Sequence, residues 1–175
     1  MCVIDWTALG TWAAVVVALG FTVWDKFERR SREAIEASLL AILLRPELMW
    51  LKSSATDIAN ELSDDENAGW AVEALAAVGE EVRRDLAASL ASLSLPVLTK
   101  AVDRLHVLGE PAASRLVKVL ESLDAIKISA RTLDAMTPAQ ANDRAMDLVA
   151  LLRAEVKAFR PRIDAAMQEC DRLAR

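Results

Sequence analysis

The chain has no tyrosine, a single histidine, two cysteines and only five glycines in 175 residues, and each shortage closes off a class of protein. A metal centre at His106 would need Cys170 or carboxylates to complete it, and no ligand spacing leads to one. With so few glycines there is no phosphate-cradling loop, and Ser89, Ser92 and Ser94 sit in no nucleophile elbow. Asp64, Asp65 and Glu66 lack the alternation and the glycine of a calcium loop, so they read as a solvated turn. The expectation is a protein without cofactor, metal or enzymatic activity.

Basic charge is also in short supply. The 21 lysines and arginines are outnumbered by 26 aspartates and glutamates, and the whole excess of acid falls beyond Arg32. An acidic domain is a poor surface for phosphates, which argues against nucleic acid as a partner. β-Branched runs are scarce outside one N-terminal stretch, while alanine and leucine abound, so the expected fold class is all-α.

That N-terminal stretch is the most informative part of the chain. From Ile4 to Trp24 it is apolar apart from Asp5 and three threonines, and a charged run from Asp25 to Arg32 follows at once. About 20 helical residues span roughly 30 Å, the thickness of a bilayer's hydrocarbon core, so the stretch predicts one transmembrane helix. Trp6 and Trp24 bracket it as interfacial anchors. Lys26, Arg29, Arg30 and Arg32 all follow the span, which sets the N-terminus outside and the remainder in the cytoplasm. A cleaved signal peptide wants a basic start and small residues at a cleavage site, whereas this segment opens with an acid and ends in Val23, Trp24 and Asp25. In this topology Cys2 and Cys170 lie on opposite sides of the membrane and do not pair.

The expected organisation is a membrane segment with its basic flank over 1–32, and a cytosolic domain over 33–175. No breaker stands between Gly20 and Pro46, so the membrane helix is expected to continue as a stalk through Ile35, Leu39 and Ile42. Pro46 either kinks it or opens a new helix through Leu48, Trp50, Leu51, Ile58 and Leu62. The apolar stretch Leu39 to Leu51 reads as a buried bundle helix, because Arg45, Pro46 and Glu47 make its insertion into a membrane costly.

After a polar loop at Ser63 to Asn67, apolar steps of three and four predict a long helix through Val72, Leu75, Val78, Val82, Leu86 and Leu90. A shorter one with Val97, Val102, Leu105 and Leu108 starts at Pro96 and ends at Gly109. Another buries Leu116, Val119, Leu120, Leu123, Ile126 and Leu133. Thr137, Pro138 and Gln140 form a start signal for a last helix, with Pro161 as a possible bend. The sum is a four- or five-helix bundle on a membrane stalk.

Within the membrane segment Thr7, Thr11, Ala14, Ala18, Thr22 and Asp25 fall on one face, and Gly10 with Ala14 adds a small-xxx-small spacing beside it. Small residues permit close helix approach and threonine hydroxyls bond across helices or back to their own carbonyls, so this face predicts self-association and, in a larger ring, a pore lining.

The opening residues Asp5, Trp6, Thr7, Ala8, Leu9, Gly10, Thr11 and Trp12, with the alanine-valine-leucine helix and basic stop that follow, resemble the start of many uncharacterised bacterial single-span proteins. Some of these are membrane effectors of anti-phage systems, and the resemblance implies a cytosolic domain that opens an oligomeric pore on a signal. Two functional classes follow: a self-associating, membrane-depolarising effector gated by its cytosolic helices, and a non-catalytic tether that presents its domain to a cytosolic partner. The expected partners are the lipid bilayer, further copies of the chain, and a cytosolic protein or signal ligand.

Overall fold

A computed structural model of the chain describes residues 6–62 and 80–175; the side chains of residues 6–18, of Glu61 and Val82, and of residues 138–143, 145 and 146 lie outside the described residues. All regular structure among the described residues is helical. The helices are α1 (Trp6–Glu61), α2 (Glu80–Ser92), α3 (Pro96–Lys100), a 3₁₀ helix (Val102–Leu108), α4 (Glu110–Asp134) and α5 (Pro138–Leu173). The expected polar loop 63–67, and the part of the second helix with Val72, Leu75 and Val78, lie outside the described residues. Its remainder is α2, with Leu90 buried and Leu86 half-buried.

Three helices carry the core with one periodicity. On α1 the buried residues are Ala37, Ala41, Leu44, Leu48, Leu51, Ala55 and Ile58, with Leu62 just past its end, separated by alternating steps of four and three. The same alternation governs Ala112 to Leu133 on α4 and Val149 to Cys170 on α5. This is the heptad spacing of a left-handed coiled-coil seam, in which each apolar knob enters a hole on the facing helix. Each fully buried leucine contributes about 1.5–3 kcal/mol.

Ion pairs across the seams give the direction of the helices. Arg45 meets Asp171 at 2.9 Å and Lys52 meets Asp164 at 2.6 Å, so α5 numbers fall as α1 numbers rise and the two run antiparallel. Arg115 meets Glu169 at 2.9 Å, and Arg162 donates to Ser122, so α4 and α5 are antiparallel too. α1 and α4 therefore point the same way, with the 3₁₀ helix packed against both and α2 against α4.

Several sequence expectations are corrected here. Pro46 neither opens a new helix nor ends the old one, because α1 runs through it to Glu61. Pro46 is exposed, on the side of the helix away from the buried residues Leu44 and Leu48. The stretch Leu39 to Leu51 is buried on one face only: Leu39, Ile42, Leu43, Met49 and Trp50 are 48–61% exposed. The expected helix with Val97, Val102, Leu105 and Leu108 divides at Ala101 into α3 and the 3₁₀ helix. Leu105 and Leu108 of the 3₁₀ helix enter the core, while Val97 on α3 and Val102 at the start of the 3₁₀ helix are 37% and 44% exposed.

Gly109 ends this segment at φ 79°, a left-handed conformation that favours glycine. Thr137 directly precedes the first residue of α5, as its start signal predicts, and α5 continues through Pro161.

Candidate self-association and membrane face

The bundle core begins at Ala37, yet α1 begins at Trp6. The 31 residues before Ala37 therefore project from the bundle as helix, roughly 46 Å at 1.5 Å per residue. Every residue from Leu19 to Glu36 is exposed. Large apolar side chains are among them, with Phe21, Trp24 and Phe27 at 71–72% exposure and Leu19 and Val23 at 59% and 67%.

Of the expected span, Ile4 and Asp5 lie outside the described residues, and so do the side chains of Trp6, Thr7, Gly10, Thr11, Ala14 and Ala18. Among the described residues no helix is long and apolar enough to cross a membrane. The transmembrane part of the expected fold thus gains no support from the described residues.

The charged flank is organised along the helix. Arg29 lies 3.7 Å from Asp25, and Arg32 pairs with Glu28, each one turn apart. Lys26 and Arg30 are exposed in the same stretch. Thr22 donates its hydroxyl to the Leu19 carbonyl at 2.8 Å, so of the two roles foreseen for a threonine here it takes the intrahelical one. Around Gly20 the space is open to 4 Å, room that a closely approaching helix would need.

A feature that the sequence reading did not resolve lies further down α1. Ile35, Leu39 and Ile42 follow each other in steps of four and three, two positions out of phase with Ala37, Ala41 and Leu44. Two residues turn a helix by about 200°, which carries the first set to the side opposite the core. The signal was in the numbering: a stripe at heptad spacing cannot share a seam with one two residues away. A shallow cleft of about 200 Å³ beside this outer stripe is lined by Leu39, Leu40, Leu43 and Val107, with Glu36 and Arg104 3.7 Å apart at its edge.

Elsewhere the bundle offers little chemistry. His106 is exposed, with its Nδ1 2.9 Å from the Asp103 carbonyl oxygen. Cys170 is buried, and burial first, then the neighbouring Asp171 and Glu169 carboxylates, push its thiol up to about 11. It is protonated at neutral pH and a poor nucleophile. Among the described residues no group of three potential metal ligands occurs. A cleft of about 540 Å³ at the far end of α1 has Ala59, Leu62 and Val156 beneath a rim of Arg153, Lys157 and Arg160, and its lining carboxylate, Asp164, is paired with Lys52. No family model, no curated protein and no solved structure matches this chain.

Proposed function

We propose that this chain is a single-span bacterial inner-membrane protein that self-associates through α1 and permeabilises the membrane under the control of its cytoplasmic helical bundle. The observation that carries the reading is the uninterrupted helix projecting from the bundle, whose exposed end holds Leu19, Phe21, Val23 and Trp24 immediately before Lys26, Arg29, Arg30 and Arg32. A bare apolar helix end gains nothing in water, whereas a bilayer would take it up to the first charges and hold it by its tryptophans. The basic flank then keeps the bundle on the cytoplasmic side. The resemblance of the opening residues to anti-phage membrane effectors fits a role in defence.

The small-residue face with Thr7, Gly10, Thr11, Ala14, Ala18, Thr22 and Asp25 would form the contact between helices or the wall of the pore. A second reading, a tether that only holds the bundle at the membrane for a cytosolic partner, is favoured by the Thr22 hydroxyl, which is already satisfied within its own helix. The two readings disagree about permeability. Full-length chain reconstituted into dye-loaded vesicles is expected to release dye, and the double replacement Thr11→Leu, Thr22→Leu to abolish release while the chain stays in the vesicle fraction. Vesicles that stay sealed with the unaltered chain fully inserted would leave the tether as the function.

A further inference from the structure

We propose that a second copy of this chain covers the outer stripe of α1, so that two parallel copies share one seam running from the membrane segment down the outside of the bundle to Met49. Its parallel orientation rests on the single-span reading, since copies inserted by one topology all point the same way.

The register supports it. Starting at Thr7 and stepping alternately by four and three reaches Thr11, Ala14, Ala18 and Phe21, passes Asp25, Glu28 and Arg32, and lands on Ile35, Leu39, Ile42 and, past Pro46, Met49. Thr7, Thr11, Ala14, Ala18 and Asp25 of the face expected from sequence to associate in the membrane, with Phe21 in place of Thr22, and the apolar stripe that the bundle leaves outside thus fall in one heptad series, with the spacing that α1 uses for its inner seam. α1 is helical throughout, so nothing interrupts the phase between the two parts.

Area and charge agree. Ile35, Leu39, Ile42 and Met49 on the stripe, with Leu43 and Trp50 flanking it and Phe21 above it, are 48–72% exposed. Their combined apolar area is on the order of the 800 Å² per partner of a stable interface, above the roughly 300–600 Å² of the largest patch on a typical monomer. In a parallel pair each residue meets its own counterpart, which would set Asp25 against Asp25 and Glu28 against Glu28. Both acids are already paired along their own helix, with Arg29 and Arg32, so like charges do not meet bare. Lipid is a poor occupant for the lower stripe, because Ile35 lies 11 residues, about 16 Å of helix, past Trp24.

The test uses the full chain in native membranes, with Cys2→Ser and the buried Cys170 kept. Single cysteines replace Ile35, Leu39 or Ile42 on the seam, or Arg30 or Glu33 on the opposite side of the helix, all of them exposed positions. A short bismaleimide is expected to yield a product of twice the chain mass, severalfold more abundant from the three seam positions. Equal yields at all five positions, no product, or a product of another mass would overturn the shared seam. Alkaline carbonate washing of the same membranes separates the two readings. A chain that washes off yet crosslinks at the seam positions overturns the span and keeps the seam, whereas a chain that resists washing without the pattern overturns the seam alone.

Discussion

The single thiol in the core illustrates how burial alone sets a residue's chemistry. Cys170 ends the heptad series of α5, and its surroundings raise its proton affinity from the ordinary 9.0 to about 11. Between these two values an unfolded chain has released the proton while the folded chain still holds it, so the folded state is disfavoured as pH rises. Full stability is kept below pH 9 and lost progressively from there to pH 11, by on the order of 2 kcal/mol. Urea melts at pH 8 and at pH 10.5, compared with those of Cys170→Ala, isolate this contribution: the variant is expected to lose less stability over the same interval. Equal losses would show that the thiol does not titrate between the two states.

At the scale of the element, the link between α1 and the turn after α2 depends on one carboxylate. α3 has no side-chain cap of its own at Leu95; instead Glu47 on α1 accepts the Val97 N–H at 2.7 Å through Oε1 and the Leu98 N–H at 3.1 Å through Oε2. These are the orphan donors of a helix start, satisfied from 50 residues away. Glu47→Ala is expected to cost about 1–2 kcal/mol in thermal melts and to speed amide exchange at Val97 and Leu98 selectively. Protection unchanged at those two amides would remove Glu47 from this role.

Nothing in the sequence announced this contact, because capping is read from neighbours in the chain and Glu47 is not one. The helices themselves were legible: the start at Thr137 and Pro138, the stop at Gly109 and the core of α4 follow from local rules. The course of α1 through Pro46 was not, since a proline's cost can be borne by packing that local signals do not contain. Nor was the division at Ala101, which no local signal in the sequence marks.

For the molecule as a whole, the heptad phase of α1 separates what holds the bundle together from what it leaves outside. Leu48, fully buried on the inner seam, is expected to cost about 2–5 kcal/mol when replaced by alanine. Leu39, 57% exposed on the outer stripe, is expected to cost under about 0.5 kcal/mol in dilute detergent solution. Chemical denaturation of the two variants checks the assignment, and similar costs would mean that the outer stripe belongs to the core.

In the sequence the two sets of apolar residues are interleaved along α1. Only the offset of two residues tells them apart, and it acquires a meaning once α4 and α5 fix which side is inward. The unbroken backbone from Trp24 to Ala37 has a mechanical consequence as well. It gears the two ends of the molecule to each other like a shaft: every residue added to or taken from that stretch would twist one end against the other by about 100°, and a change of seven, or of eleven, would bring the teeth back to within about 20° of mesh.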